Sequence, residues 1–369
     1  LNILVIGAGL SGICMSRLLA DRGHDIDLIE KKSQIGGLCR DEYVHGVLTH
    51  IHGPHFIHTN NKKVVDFLLP FCNNKLISND YIVKSNIKGK LYDFPINRNT
   101  INSYFDIKLR NNEEVHDFLW TLSKQWNNKP ATNSEEVILQ KCGRNLYEDF
   151  FQGYTTKMWD KAPSELDPSI CARIPIRTNT NDKFHNDKYQ GVPSKGFTKM
   201  FENMLNHKNI KVTLNCNEKN VNNTDEYGMI IYTGPIDEFF KYKYGKLPYR
   251  SLKFETYVYP FPYKQTSVQI NYPGKEEYTR DTETRHMTGQ KTSCTTIVRE
   301  TPCYDDNNPM YPVLTKDSIK QSMKYESFSK KAGNRFQFLG RLATFKYLSI
   351  DGCIEECFKL MEELEKKVE

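Results

Sequence analysis

The chain has 369 residues, 38% of them hydrophobic and 12% aromatic, enough for two or three domains with sizeable cores and too apolar for a disordered polymer. No run approaches the roughly 20 apolar residues of a membrane span, and no basic segment with a signal-type apolar stretch opens the sequence, so a soluble cytoplasmic protein without membrane partners is expected. The formal charge of +6 arises from basic residues interleaved with acids, which argues against nucleic acid as a partner and suits a small anion held by a few arginines.

Asn2-Ile3-Leu4-Val5-Ile6 is a short, β-branched apolar run that predicts a strand. Gly7-Ala8-Gly9-Leu10-Ser11-Gly12 follows, then the helical stretch ICMSRLLADRG and a second strand DIDLIE ending in Glu30. Each glycine has its own reason: Gly7 permits the tight turn, Gly9 lets a pyrophosphate approach the backbone, and Gly12 brings helix close to strand. Glu30 falls about twenty residues on, where a ribose-binding carboxylate is needed. The helix N-terminus faces the phosphates with unpaired N–H groups. The second glycine pair, Gly36-Gly37, favours an extended FAD over a nicotinamide cofactor.

LTHIHGPHFIHT then places His50, His52, His55 and His58 within nine positions. Gly53-Pro54 disfavours a continuous helix, and neither H-E-x-x-H nor C-x-x-C supports a zinc site, so no metal is expected here. A loop lining the flavin is the preferred reading, with idle surface imidazoles as the alternative. The ten scattered cysteines form no C-x-x-C pair and are expected to be reduced thiols. Cys353 and Cys357, four apart on a predicted helix, are expected to share a buried face.

Further along, YIVKSNIKGKLYDFPI predicts a strand pair turning at Lys88-Gly89. Residues 98–160 carry apolar positions at helical spacing, with Gly143 as a break and Phe150 and Tyr154 on one helix face. The Pro-, Asn- and Asp-rich stretch 161–196 reads as a long loop that closes over a ligand. The fold class expected is α/β: a Rossmann-like FAD-binding domain assembled from residues 1–65, 197–240 and 326–369. A helical domain (98–160), the mobile loop (161–196) and a β-sheet domain (66–97 and 241–325) would be inserted.

GAGLSG, EKKSQIGGLC, GPHFIHTNN, DFPIN, FFQGYTTKMW, RIPIRTNTND, IYTGPIDEFF, YTRDTETRH, TIVRE, MYPV and GRLATFKY occur in this order. With these motifs the chain resembles the bacterial type of UDP-galactopyranose mutase from end to end. The resemblance implies an FAD enzyme that interconverts pyranose and furanose forms of a nucleotide-linked sugar. In that family N5 of the reduced flavin attacks the anomeric carbon and the nucleoside diphosphate departs. It also implies a homodimer. Arg173 and Arg280 match the family's substrate arginines, to be counted with His55 as the catalytic set. Tyr311 and Tyr347 match its diphosphate-contacting tyrosines and Tyr154 its base-stacking aromatic, with Phe150 and Trp159 completing an aromatic wall. On the flavin side the resemblance assigns Gly9, Ser11, Glu30, Gly37 and Leu38 to adenosine and pyrophosphate, flanked by Gly7, Leu10, Gly12 and Lys31. His55 and Gly53 would approach the ring, and Arg341, read as lying at a helix start, would be the second flavin anchor. Arg250 and Glu300 match family positions as supporting residues.

Departures gather on the substrate side. Phe184 stands where the family has a diphosphate tyrosine, His185 where it has phenylalanine, Tyr81 where it has asparagine, Ser349 where it has aspartate and His52 where it has an aromatic. The expectation is a mutase for a nucleotide sugar other than, or broader than, UDP-galactose: a deoxysugar, an N-acetyl sugar or a heptose. The competing reading is an FAD oxidoreductase of the amine-oxidase-like class, against which the paired arginines argue.

Overall fold

The structure, a computed structural model, describes residues 1–366 apart from 218–220, 222, 223 and 334. β1 (Asn2–Ile6) lies at the centre of a five-stranded sheet whose pairings are all parallel. β2 (Asp25–Ile29) flanks it on one side and Met229–Tyr232 on the other, with Ile210–Thr213 and Phe336–Phe338 at the edges. Leu4 and Val5 are both wholly buried, which is why this strand reads as an unbroken apolar run: Ile3 and Val5 face the main core, while Leu4 packs with Ile29 and Ile230 against Cys216 and Tyr227 on the other face. α1 (Leu10–Ala20) connects β1 to β2 and packs on Phe197–Leu205 and on the last helix, Ile350–Glu365. Cys353 and Cys357 are buried on that last helix, and the Cys357 thiol donates to the Ser11 carbonyl at 3.6 Å.

A second, seven-stranded sheet is antiparallel except where Gln269–Asn271 runs parallel to Val83–Ile87. Val83–Ile87 and Lys90–Phe94 form the expected hairpin, with Lys88 and Gly89 at φ 53° and 89° in the turn. Helices Arg98–Phe105, Asn112–Ser123 and Ser134–Leu146 follow the hairpin, the first packing on its strand Lys90–Phe94 and the other two on each other. Each begins the same way. Asn97, Asn111 and Asn133 accept backbone N–H bonds from Thr100, Glu114 and Glu136, satisfying donors that a helix start leaves unpaired.

Four expectations are corrected. Gly143 does break the helical run, at φ 76° and ψ 179°, but the chain then winds as a π-helix over Tyr147–Gln152. That change of pitch alters the i,i+4 relation: Phe150 packs on Tyr92 of the hairpin strand and Tyr104 of Arg98–Phe105, at 5.8 and 5.6 Å between ring centroids. Residues 161–196 are not one loop, since they contain the helical turn Ser169–Ala172 and the strand Tyr189–Pro193. Gly191, Val192 and Pro193 are buried, and pairing with Ile57–Thr59 and Leu76–Ile77 supplies the hydrogen bonds such backbone needs. The strand-rich stretch ends in a helix, Lys316–Ser329, capped by Thr315. Arg341 lies in a turn after Gly340, not at a helix start. Among the described residues no helix is long and apolar enough to cross a membrane.

Candidate active site

The β1–α1 turn makes a slot bounded by backbone. A Cβ on Gly12 would sit 1.9 Å from the Gly7 carbonyl oxygen, so only glycine lets the helix approach the strand this closely. Gly9 and Gly37 face one another: a Cβ on Gly37 would lie 3.0 Å from the Gly9 Cα, at a residue already at φ 56°. Leu10, Ser11 and Gly12 are buried at a helix start that no side chain caps. Glu30 closes the turn, accepting from the Ala8 N–H at 2.8 Å and the Lys32 N–H at 2.9 Å. Leu38 sits in the short turn Gly37–Cys39, whereas the exposed Lys31 points elsewhere and donates to the Asn307 carbonyl. A slot lined by apposed glycines, buried uncapped amides and an oriented carboxylate fits a dinucleotide.

The four clustered imidazoles separate. His50 ends the strand Val47–His50 and accepts from the His55 N–H at 3.1 Å, while His55 Nδ1–H donates to the Gly53 carbonyl at 3.0 Å. Burial lowers both from an ordinary histidine, His50 against the opposing pull of Asp41 and His55 to well below it. His52 meets Phe254 edge-on, and burial, helped by Lys32 and Arg40, lowers it to about 4. Gly53, at φ 79°, leaves room for a carboxylate: a Cβ there would be 2.3 Å from Glu300 Oε1. His58 turns away to a different neighbourhood.

Glu300 is buried, and its Oε2 lies 2.7 Å from Arg280 Nε. Burial raises the carboxyl of Glu300 although Arg280 pulls it down, and Glu300 in turn holds the Arg280 guanidinium firmly charged against the opposing effect of burial. Arg173 follows the helical turn Ser169–Ala172, its Nε–H donates to the Ile170 carbonyl at 3.3 Å, and its guanidinium lies 4.2 Å above the Tyr347 ring. Arg341 lies 4.6 Å above Tyr311, and the two tyrosines stack at 6.0 Å. Trp159 abuts both, with centroids 6.4 and 5.9 Å away. Burial alone would raise the Tyr347 phenol, but Arg173, Arg341 and Arg280 together lower it. Tyr154 lies in the same field, so the sequence-predicted Arg173, Arg280, Arg341, Tyr154, Trp159, Tyr311 and Tyr347 do converge.

The remaining predicted residues divide. Tyr81 is buried against Phe56, Phe184 and His185, and its hydroxyl donates to Gln269 Oε1 at 2.8 Å. Gln269 then donates to Asn271 at 2.6 Å. Burial, then His58, Arg173 and Arg177, bring His185 down to about 3. Ser349 is exposed and serves as the N-cap of Ile350–Glu365, so its local work is helix initiation, which any Asp or Ser can do. Phe150 is buried between Tyr92 and Tyr104 as described above. Sequence reasoning missed Gln269 and Asn271, although their i,i+2 spacing in a strand puts them on one face. It also missed Asp41, which accepts from the Phe197 and Thr198 N–H groups at 2.6 and 2.9 Å, and no local signal marks it.

A Rossmann-like slot for a dinucleotide beside a pocket of converging guanidinium and aromatic groups defines an enzyme that brings a bound cofactor to an anionic, ring-bearing substrate. The sequence model described as UDP-galactopyranose mutase matches residues 149–347, and that of an NAD(P)-binding Rossmann-like domain matches residues 5–69. A probable UDP-galactopyranose mutase of Klebsiella pneumoniae is 33% identical over 374 residues, covering 98% of this chain and 94% of its own. A dTDP-fucopyranose mutase of Escherichia coli is 34% identical over 372 residues, covering 97% of each chain. A crystal structure of reduced UDP-galactopyranose mutase superposes with a TM-score of 0.77 at 13% identity, over 99% of this chain and 94% of the other, a likeness of fold. The chain belongs to the UDP-galactopyranose mutase family, a family of nucleotide-sugar pyranose mutases, and is an isomerase.

Proposed function

We propose that this isomerase interconverts the pyranose and furanose forms of a nucleoside-diphosphate sugar with the help of reduced FAD. The convergence of Arg173, Arg280 and Arg341 on the stacked Tyr311 and Tyr347 carries the reading. A diphosphate leaving the anomeric carbon carries about two negative charges that must be met where it departs. Each guanidinium at roughly 4 Å offers about 4 kcal/mol of gross attraction in a partly screened site, before desolvation is subtracted. Tyr311 and Tyr347 donate hydrogen bonds to the same group, and Tyr154 and Trp159 wall the base. Gly7, Gly9, Gly12, Glu30 and Gly37 would hold the dinucleotide, with His55 and Gly53 beside the flavin ring. Reduced FAD, when bound, would supply the electron pair that adds to the anomeric carbon.

The same proposal divides the chain into a cofactor domain of three segments, a helical insert and a sheet domain, and takes the protein as a cytoplasmic homodimer. For the substrate, it favours a sugar other than, or in addition to, UDP-galactose. Phe184 removes a phenol and His185 adds an imidazole next to Tyr81, which changes the set of sugar hydroxyls that can be satisfied. The test is chromatography of products from a panel of nucleotide sugars with dithionite-reduced and oxidised protein. Isomerisation only after reduction is expected. A clear preference for UDP-galactose over the rest of the panel sinks the altered-pocket reading, and peroxide formed from an amine substrate sinks the mutase.

Glu30→Ala gives a second check. Two charge-assisted hydrogen bonds to the turn vanish along with the ribose contact, and each such bond is worth about 1.5–3 kcal/mol, so FAD affinity should fall by roughly ten- to a hundredfold or more. Flavin fluorescence titration of the stripped protein measures it.

A further inference from the structure

His58, separated from its sequence neighbours, meets two residues of the segment leading into Tyr189–Pro193. Its Nδ1 lies 3.1 Å from Asp187 Oδ2, and its ring stacks on His185 at 3.7 Å between centroids and 15° between planes. One donor atom from each of His58, His185 and Asp187 lies within 4.8 Å of the other two. All three are half-buried, shielded from bulk water yet reachable by a small ion. The second oxygen of Asp187 accepts from Asn60 Nδ2 at 3.1 Å, which fixes the carboxylate from behind.

We propose that His58, His185 and Asp187 form a binding site for a zinc-class divalent transition-metal ion. Zinc bonds of about 2.0–2.2 Å set donors at the corners of a tetrahedron with edges of roughly 3.3–3.5 Å. The His58–Asp187 pair, now hydrogen-bonded at 3.1 Å, opens by a few tenths of an ångström to span such an edge, and His185 completes a face once its ring rotates out of the parallel stack with His58. Two imidazoles and one carboxylate are a donor set suited to zinc, cobalt or nickel, and poorly suited to magnesium or calcium. Three protein ligands leave a fourth position for water or an anionic oxygen. The ligands come from two strands' neighbourhoods: His58 lies on Ile57–Thr59, while His185 and Asp187 lie on the connection that precedes its partner strand, Tyr189–Pro193. An ion there would pin that connection, which also carries Phe184, onto the sheet.

The test is equilibrium dialysis of the full chain against zinc, with bound metal counted by plasma mass spectrometry. His185→Phe keeps a flat ring against Phe56 and Tyr81 while removing the nitrogen donors, and Asp187→Asn keeps a hydrogen-bonding oxygen while removing the charge. About one zinc per parent chain is expected, with affinity weaker by about tenfold or more in each variant. Unchanged circular dichroism and melting temperature in the variants tie the loss to the ligands. No zinc retained by the parent, or equal retention by the parent and either variant, overturns the site.

Discussion

Arg280→Ala should lower kcat/KM for nucleotide-sugar isomerisation by roughly 10²–10³-fold, the loss typical of removing a donor aimed at developing charge. The same substitution strands Glu300, a buried carboxylate whose nearest cation is Arg280 Nε at 2.7 Å. Removing one partner of a buried pair costs about 3–5 kcal/mol, so a fall in melting temperature should accompany the kinetic loss. Arg280→Lys separates the two effects. Lysine keeps a charge opposite Glu300 and should restore most of the stability, but its single ammonium cannot present the planar, forked donors that a diphosphate requires. Steady-state kinetics with reduced protein and calorimetry on the same samples read both quantities. Recovery of full kcat/KM in Arg280→Lys would show that charge alone suffices and would remove the geometric part of the argument. If Arg280→Ala left turnover within threefold of the parent, Arg280 would have no part in holding the leaving group.

Two alanine substitutions three residues apart should have opposite consequences for the fold and the same consequence for the cofactor. Gly9 has φ −84°, and a Cβ there meets nothing closer than the Gly37 Cα at 4.0 Å. Gly9→Ala should therefore fold with an unchanged melting temperature in the stripped protein while placing a methyl group in the slot, and FAD affinity should fall by about a hundredfold or more. Gly12→Ala drives its methyl to 1.9 Å from the Gly7 carbonyl oxygen, a contact relieved only by pulling α1 off the sheet it covers. That variant should lose the cofactor because it loses the turn, with a destabilisation of several kcal/mol visible in denaturant melts. Flavin retention by Gly9→Ala at parental affinity would mean the pyrophosphate does not approach the Gly9 backbone.

The parts legible in the sequence are those in which local chemistry and tertiary demand agree. The unbroken apolar run of β1, the three glycines with Glu30, the Lys88-Gly89 turn and the Gly143 break each carry their reason within a few residues. Arg173, Arg280, Arg341, Tyr311 and Tyr347 were legible in another way, through ordered motifs shared with a family, since nothing local distinguishes a guanidinium over a phenol from an exposed arginine. What escaped was set by distance or by a change of pitch. Lys316–Ser329 has only Ser318 and Tyr325 buried, so its apolar period is too faint to stand out from the strands before it. The π-helix over Tyr147–Gln152 shifts side chains by an amount no 3.6-residue pattern anticipates, and Phe150 there packs between Tyr92 and Tyr104. His58 and Asp187 are 129 positions apart, and they meet only because Ile57–Thr59 pairs with Tyr189–Pro193.

The central parallel sheet draws its strands from widely separated parts of the chain: Ile3 pairs with Met229, and Ile230 with Phe336. During vectorial synthesis the opening strand and glycine turn thus leave the ribosome long before their neighbours exist. The nucleotide-holding half cannot be complete until Phe336–Phe338 has emerged, and Arg341 arrives only after that edge strand. A release that stops short of Phe336 leaves an open sheet edge at Met229–Tyr232, a surface that invites pairing between chains.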